Sequence, residues 1–299
     1  MSFDPALSQG LTELIDLLSQ GELGPARVRA ETLLRRYPDQ AELWRLSAIC
    51  ALQQGDFEVS RHALDQALKL APAAVENWCN LASLHTAQRN FGEAERALRH
   101  ALTLSPHHAG ALNNLGSLLD ARGDYFGAAD CFAKAITQRP DYARAWINQA
   151  ASLLAVRQLV RAETSAQRAV QLAPYWADAH FVLGNVLDGA RKPGAVAAWS
   201  EAARLAPGNA QYQYQLAIGL EREGRFATAV RAFEACLALV PDYWPALSQL
   251  AFVHRRLCDW RALPPLSRRL IAGIESGAAG ITPFSMLVED TTPAQQLAC

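Results

Sequence analysis

The chain has 299 residues, a formal net charge of −1, 51% hydrophobic residues and six cysteines. A near-neutral charge excludes a general nucleic-acid or anionic-membrane surface, which needs a basic excess. No run of 18 apolar residues is present, and the start, MSFDPALSQG, has neither a basic nor an apolar leader region, so neither a membrane span nor a secretory signal is expected. The cysteines show no CxxC pair, which points to free, mostly buried thiols in a reducing cytoplasm and to no metal site.

In chain order, the first legible unit is LTELIDLLSQGELGPARVRAETLLRRYP, ending at Pro38. Gly21, Leu23 and Ala26 hold turn and second-helix positions, and Gly10 stands where later units carry Trp. Pro38, Pro72, Pro106, Pro140 and Pro174 are each 34 residues apart; Pro207 follows after 33 and Pro241 after 34 more. Proline cannot continue a helix, so each marks the end of a unit's second helix. Units start near Ala41, Val75, Ala109, Ala143, Ala177 and Ala210, each predicting a helix of about 14 residues, a turn, and a second helix of similar length. Gly55-Asp56, Gly123-Asp124 and Gly224-Arg225 supply turn residues that suit positive φ. In the shortened unit, RKPGAVAAW places Pro193 in the first turn of the second helix.

Val75–Pro140 carries the period most plainly, because Trp78 aligns with Leu112, Ala82 with Gly116, Phe91 with Tyr125 and Leu98 with Phe132. This resembles the tetratricopeptide repeat, with its W-x2-L-G-x2-Y and A-x3-F…P signature. The expected fold is all-α, a right-handed superhelical solenoid of helix pairs with a C-terminal helical cap. Ala82, Gly116, Ala150, Gly184 and Ala217 let paired helices approach, as do Ala67, Ala101, Ala135, Ala169 and Ala202 in the next layer. Trp44, Trp78, Trp146 and Trp199 read as core.

About seven units fill residues 1–257, and 258–299 reads as a helical junction segment. A further unit, the seventh after the degenerate first one, starts at Trp244, followed by an amphipathic helix to about Gly277. Thr282-Pro283 starts a helix through Phe284 and Leu287, and Thr292-Pro293-Ala294-Gln295 is a capping signature that opens another. Cys299 falls about two turns into it, which suggests the front part of something longer; a frayed terminal helix is the alternative. RRLCDWRALPPLSRRL and TPFSMLVEDTTPAQQLAC resemble the junction between repeats and catalytic region in bacterial O-linked N-acetylglucosamine transferase homologues, the SPINDLY-like group. Cys258-Asp259-Trp260, Pro283-Phe284, Glu289-Asp290, Pro293 and Gln295-Gln296 carry it. The resemblance implies the substrate-presenting arm of a protein O-glycosyltransferase, with the catalytic region beyond these residues. A free-standing scaffold that assembles protein complexes is the alternative.

Asn80, Asn114 and Asn148 recur at one first-helix position, followed there by Val182, Gln215 and Gln249, with Asn113 and Asn185 nearby. An amide both donates and accepts, so such a row suits the backbone of an extended peptide. The resemblance implies the same use, since the glycosyltransferase family holds protein substrates on an asparagine ladder; solvation of the groove is the bland alternative. The expected partners are therefore extended protein or peptide segments, with no cofactor, no catalytic residue, no nucleic acid and no membrane; a homodimer is left open. The seven histidines read as packing or surface residues, and Arg255, Arg256, Arg261, Arg268 and Arg269 as a solvated face.

Overall fold

The computed structural model describes residues 4–281. Sixteen α-helices and no strand are found among the described residues, which gives the expected all-α class of paired helices. The expected helices at Thr282-Pro283 and Thr292-Pro293, with Cys299, lie outside the described residues.

Two compact units divide the chain, at Val156 and Arg157. The first holds α1 (Pro5–Gln20), α2 (Leu23–Arg36), α3 (Ala41–Gln53), α4 (Phe57–Leu70), α5 (Val75–Ala87), α6 (Phe91–Leu104), α7 (Ala109–Ala121), α8 (Tyr125–Gln138) and α9 (Ala143–Ala155). In it α1 packs on α2, α3 on α4, α5 on α6 and α7 on α8, with α9 against α8. The second holds α10 (Leu159–Leu172), α11 (Ala177–Gly189), α12 (Ala195–Leu205), α13 (Ala210–Arg222), α14 (Phe226–Leu239), α15 (Trp244–Arg256) and α16 (Leu263–Glu275). There α10 packs on α11, and α11 with α12, α13 with α14 and α15 with α16 form pairs.

Each first helix ends in the same way. The residue directly after α1, and the next residue but one after the others, has positive φ: Gly21, Gly55, Gly123 and Gly224 as glycine allows, but also Arg89 (60°), Arg157 (60°), Arg191 (55°) and Cys258 (56°). The following amide then reaches the carbonyl five residues back, as in Asp56 N–H to Ala51 O at 2.9 Å and Asn90 N–H to His85 O at 2.8 Å. This is the Schellman closure, which satisfies helix-end carbonyls. Asp259 N–H to His254 O, 2.9 Å, repeats it, so Cys258-Asp259-Trp260 stands in register with the Gly-Asp-Tyr turn at Gly123. The second helix α16 then starts late, at Leu263, with Pro264 and Pro265 in its first turn.

The small residues do what their spacing predicts. Ala67, Ala101, Ala135, Ala169 and Ala202 are fully buried, as are Ala150 and Ala217. A Cβ on Gly116 would lie 2.7 Å from the Phe132 ring, and one on Gly184 would lie 2.4 Å from the Trp199 indole.

Two expectations need correction. Of the four tryptophans read as core, Trp199 is buried (1% exposed), but Trp44, Trp78 and Trp146 are half-buried. Their indole N–H groups donate to the carbonyls of Pro38, Pro72 and Pro140 at 2.7, 2.8 and 2.9 Å, which holds the rings at the edge of the preceding turn. His180 sits at the same place, with Nε2 2.8 Å from Pro174 O. The second correction is Pro193, which precedes α12 rather than opening it; Gly194, at φ 101°, is the residue before the helix, and α12 is 11 residues long.

Gly184→Ala is expected to cost about 1–3 kcal/mol, because the buried Trp199 cannot yield. Arg89→Gly should stabilise by about 0.5–1 kcal/mol, since relief of left-handed strain exceeds the added backbone entropy. Urea unfolding followed by circular dichroism measures both; a neutral Gly184→Ala or a destabilising Arg89→Gly would contradict this packing and turn geometry.

Candidate functional site

In the first unit, Asn80, Asn114 and Asn148 sit at one register position on α5, α7 and α9, and all three are half-buried. Asn148 Nδ2 donates to Asn113 Oδ1 at 3.1 Å and approaches Ser117 Oγ at 3.5 Å. Asn113, only 5% exposed, in turn points its Nδ2 to Asn114 Oδ1 at 3.5 Å, near the limit for a hydrogen bond. Asn113 therefore links the amides on α7 and α9 from beneath. Asn80 Nδ2 is buried and has no hydrogen-bond partner among the described residues. An unpaired buried donor costs about 1–3 kcal/mol.

Beside this row lies a cleft of about 350 Å³ between α5 and α7, with Leu98 and Leu118 as its apolar part and Ser83, Thr86, Asn114 and Ser117 as its polar part. Ser83 Oγ donates to Cys79 O at 3.1 Å and Thr86 Oγ1 to Ala82 O at 2.9 Å. Their protons are thus committed to the helix, and the oxygens remain as acceptors. Sequence reasoning missed these hydroxyls. The available signal was their spacing, since Ser83 follows Asn80 by three residues and Thr86 follows Ser83 by three, the separation of neighbours on a helix surface.

In the second unit, Gln215 on α13 and Gln249 on α15 line a cleft of about 350 Å³ with Tyr214, Ile218, Glu221 and Arg222. Burial raises the Glu221 carboxyl above its ordinary pKa, against the pull of Arg256 and Arg222. Arg222 is anchored on the previous first helix by Asp188, at 2.9 and 3.0 Å. Val182 interrupts the amide row on α11. Asn185 is engaged elsewhere: its Oδ1 accepts from the Trp199 indole at 2.9 Å. The chemistry of the two clefts therefore differs, hydroxyl and amide in one and aromatic, amide and charge in the other.

The titratable groups outside these clefts are held by packing. Burial pushes the Cys79 thiol up to about 12 and Cys236 to about 11, so neither is a thiolate at neutral pH. His108 caps α7, its Nδ1 accepting from Ala111 N–H at 3.1 Å. His254 meets Asp259 at 3.1 Å across the last turn. His85, 7% exposed, has Nε2 3.3 Å from Arg61 and an unpartnered Nδ1. Among the described residues no group of three or more His, Cys, Asp or Glu is arranged to hold a metal, and no helix is long and apolar enough to cross a membrane.

A helix pair repeated with one turn geometry defines an interaction scaffold rather than a catalytic fold. The family model described as tetratricopeptide repeat matches residues 11–75, 48–109, 79–143 and 115–177, more than half of the sequence, and the chain belongs to that family. No curated protein sequence matches the chain. Among solved structures, the APC/C hetero-tetramer Cut9-Hcn1 is similar with a TM-score of 0.70 and 17% identity over 80% of this chain, which spans 48% of that one. Pseudomonas aeruginosa PilF gives 0.57 and 19% identity, covering 70% of this chain and 95% of the other. MamA 41-end from Desulfovibrio magneticus RS-1 gives 0.50 and 25%, covering 56% and 96%. The first two likenesses concern the fold alone.

Burial, then the Arg61 charge, holds the His85 imidazole below its ordinary pKa. The folded state therefore prefers neutral His85, and stability falls as pH drops through the unfolded value of about 6.5. His85→Leu, the residue that α7 and α9 carry at this position, should gain stability relative to the native protein on going from about pH 7.5 to about pH 5. Urea unfolding of both proteins at the two pH values checks it; a stability difference that does not change with pH contradicts it.

Proposed function

We propose that the first-helix face of this chain holds extended protein segments by their backbones. The reading rests on one observation: Asn80, Asn114 and Asn148 take one register position on three successive first helices, beside a cleft edged by hydroxyl oxygens. Packed helices lie about 10 Å apart, and three extended residues span about 10 Å, so one amide per repeat meets every third peptide unit. Gln215 and Gln249 extend the same chemistry in the second unit. The net charge of −1 favours protein clients over nucleic acid, and the buried thiols favour a cytoplasmic setting.

Such a surface fits the substrate-recruiting, non-catalytic arm of a protein O-glycosyltransferase. The resemblance at Cys258-Asp259-Trp260 and Pro283-Phe284 supports that assignment. A free-standing scaffold that assembles protein complexes is supported by a different observation, because Cys258-Asp259-Trp260 is also in register with the ordinary repeat turns. The gene beyond Cys299 separates the two: a glycosyltransferase reading frame there favours the first, and its absence the second.

Changing Asn80, Asn114 and Asn148 to Ala removes about 0.5–1.5 kcal/mol per lost bond, so affinity for an extended client should fall by about one to three orders of magnitude. The loss should be similar for unrelated flexible peptides, because their backbones are alike. Titration of several such peptides against the native and triple-alanine proteins measures this. Unchanged affinities would leave the asparagines as solvated surface, and a loss confined to one peptide would mean side-chain recognition instead.

A further inference from the structure

A second cleft lies on a different face of the first unit, between the second helices α2 and α4 and over α3. One residue at its floor departs from the repeat. Counting by the repeat, Ala51 occupies the position held by Leu17, His85, Leu119, Leu153, Leu187, Leu220 and His254 in the other first helices. All of those side chains are larger. Leu153 and Leu220 fill the space almost fully buried, at 1% and 2% exposed. Alanine leaves it open, and the result is a cleft of about 400 Å³ walled by Leu34, Trp44 and Val59 with Ala51 beneath. That volume lies in the range of small-ligand pockets.

The walls are held in place. The Trp44 indole donates to Pro38 O at 2.7 Å and meets the His62 ring edge-on at 5.9 Å. Below it, the Cys50 thiol and the Gln54 amide both bond Leu23 O, at 3.3 and 3.1 Å. A pocket fixed in this way loses little freedom when it is filled.

The rim carries two guanidinium groups, only one of them paired. Arg27 is paired with Glu31 at 3.2 Å and Asp56 at 3.6 Å. Arg35, on the same rim, has no partner among the described residues. Apolar walls with one unpaired guanidinium at the lip fit a bulky apolar side chain whose neighbour carries a carboxylate, which Arg accepts in two-pronged geometry.

We propose that this cleft is a second docking site, occupied by a partner's peptide in which an aromatic or large aliphatic side chain is followed by an acidic residue. The site does not depend on the amide row, which uses other positions of the first helices.

The test is fluorescence anisotropy with the full chain and a fluorescein-labelled peptide, acetyl-Gly-Ser-Phe-Glu-Glu-Gly-Ser-amide. Two comparison peptides carry alanine in place of phenylalanine, or lysines in place of the glutamates. The native protein should bind the first peptide at least about tenfold more tightly than either comparison. Ala51→Leu restores the side chain that other repeats carry, and should weaken binding at least about tenfold while leaving the helical circular dichroism unchanged. Arg35→Glu, on the exposed rim, should reverse the preference between the glutamate and lysine peptides. The Asn80, Asn114 and Asn148 triple-alanine protein should lose any backbone-held share of binding equally for all three peptides and keep the preference for the first, so failure of the amide row and failure of this site are distinguishable. The proposal is overturned by native protein that does not bind the first peptide or does not discriminate among the three. Native-like binding by a folded Ala51→Leu protein, or loss of the preference among the three peptides in the triple-alanine protein, overturns it equally.

Discussion

The helix pairs within each unit depend on one backbone closure, in which a residue at positive φ turns the chain so that the next amide reaches a carbonyl five residues back. That turn fixes where the second helix begins, and so which residues of the two helices meet. Only small side chains fit where they cross, which is why alanine or glycine recurs there. A proline two residues past the end of each second helix from α2 to α14 then stops it. Where the turn departs, at Arg191–Gly194, the second helix shortens to 11 residues and the packing changes with it. Trp199 fills the gap, with Gly184 on one side and Gly219 on the other making room for its indole.

The fold was legible because its punctuation is chemical. Proline and positive-φ glycine state where helices end, and a fixed period tells which residues share a face. Less was legible where the chain breaks its own preferences. Arg89, Arg157 and Arg191 take left-handed backbone with nothing in their side chains to announce it, because the pattern around them imposes the turn. The tryptophans misled for a related reason. An indole suggests a core, yet its N–H needs an acceptor, and the repeat-closing carbonyl at the surface provides one for Trp44, Trp78 and Trp146.

For the candidate site, the period alone aligned the amides, since residues one repeat apart occupy equivalent places on successive first helices. It could not tell which amides were already engaged. Asn113 lies beneath the row as a support, and Asn185 is committed to Trp199; both facts depend on residues one repeat or half a repeat away. The hydroxyls of Ser83 and Ser117 were hidden by their ordinariness, because serine on a helix carries no signal until its neighbours are known. The turn at Cys258 shows the opposite hazard. Its residues look distinctive as a string, while its backbone repeats what Gly123 and Gly224 already do.

Ala51 shows how such an array can diversify. In a single-core protein, shortening a buried side chain leaves a closed void that is lost stability and nothing more. Here the shortened residue lies between neighbouring second helices, so the space opens to solvent and to passing molecules. Because each repeat answers mainly to its neighbours, the change stays local and the rest of the array keeps its form. One substitution per repeat is then enough to add or erase a recognition site, and a lineage can vary its partners without rebuilding its scaffold.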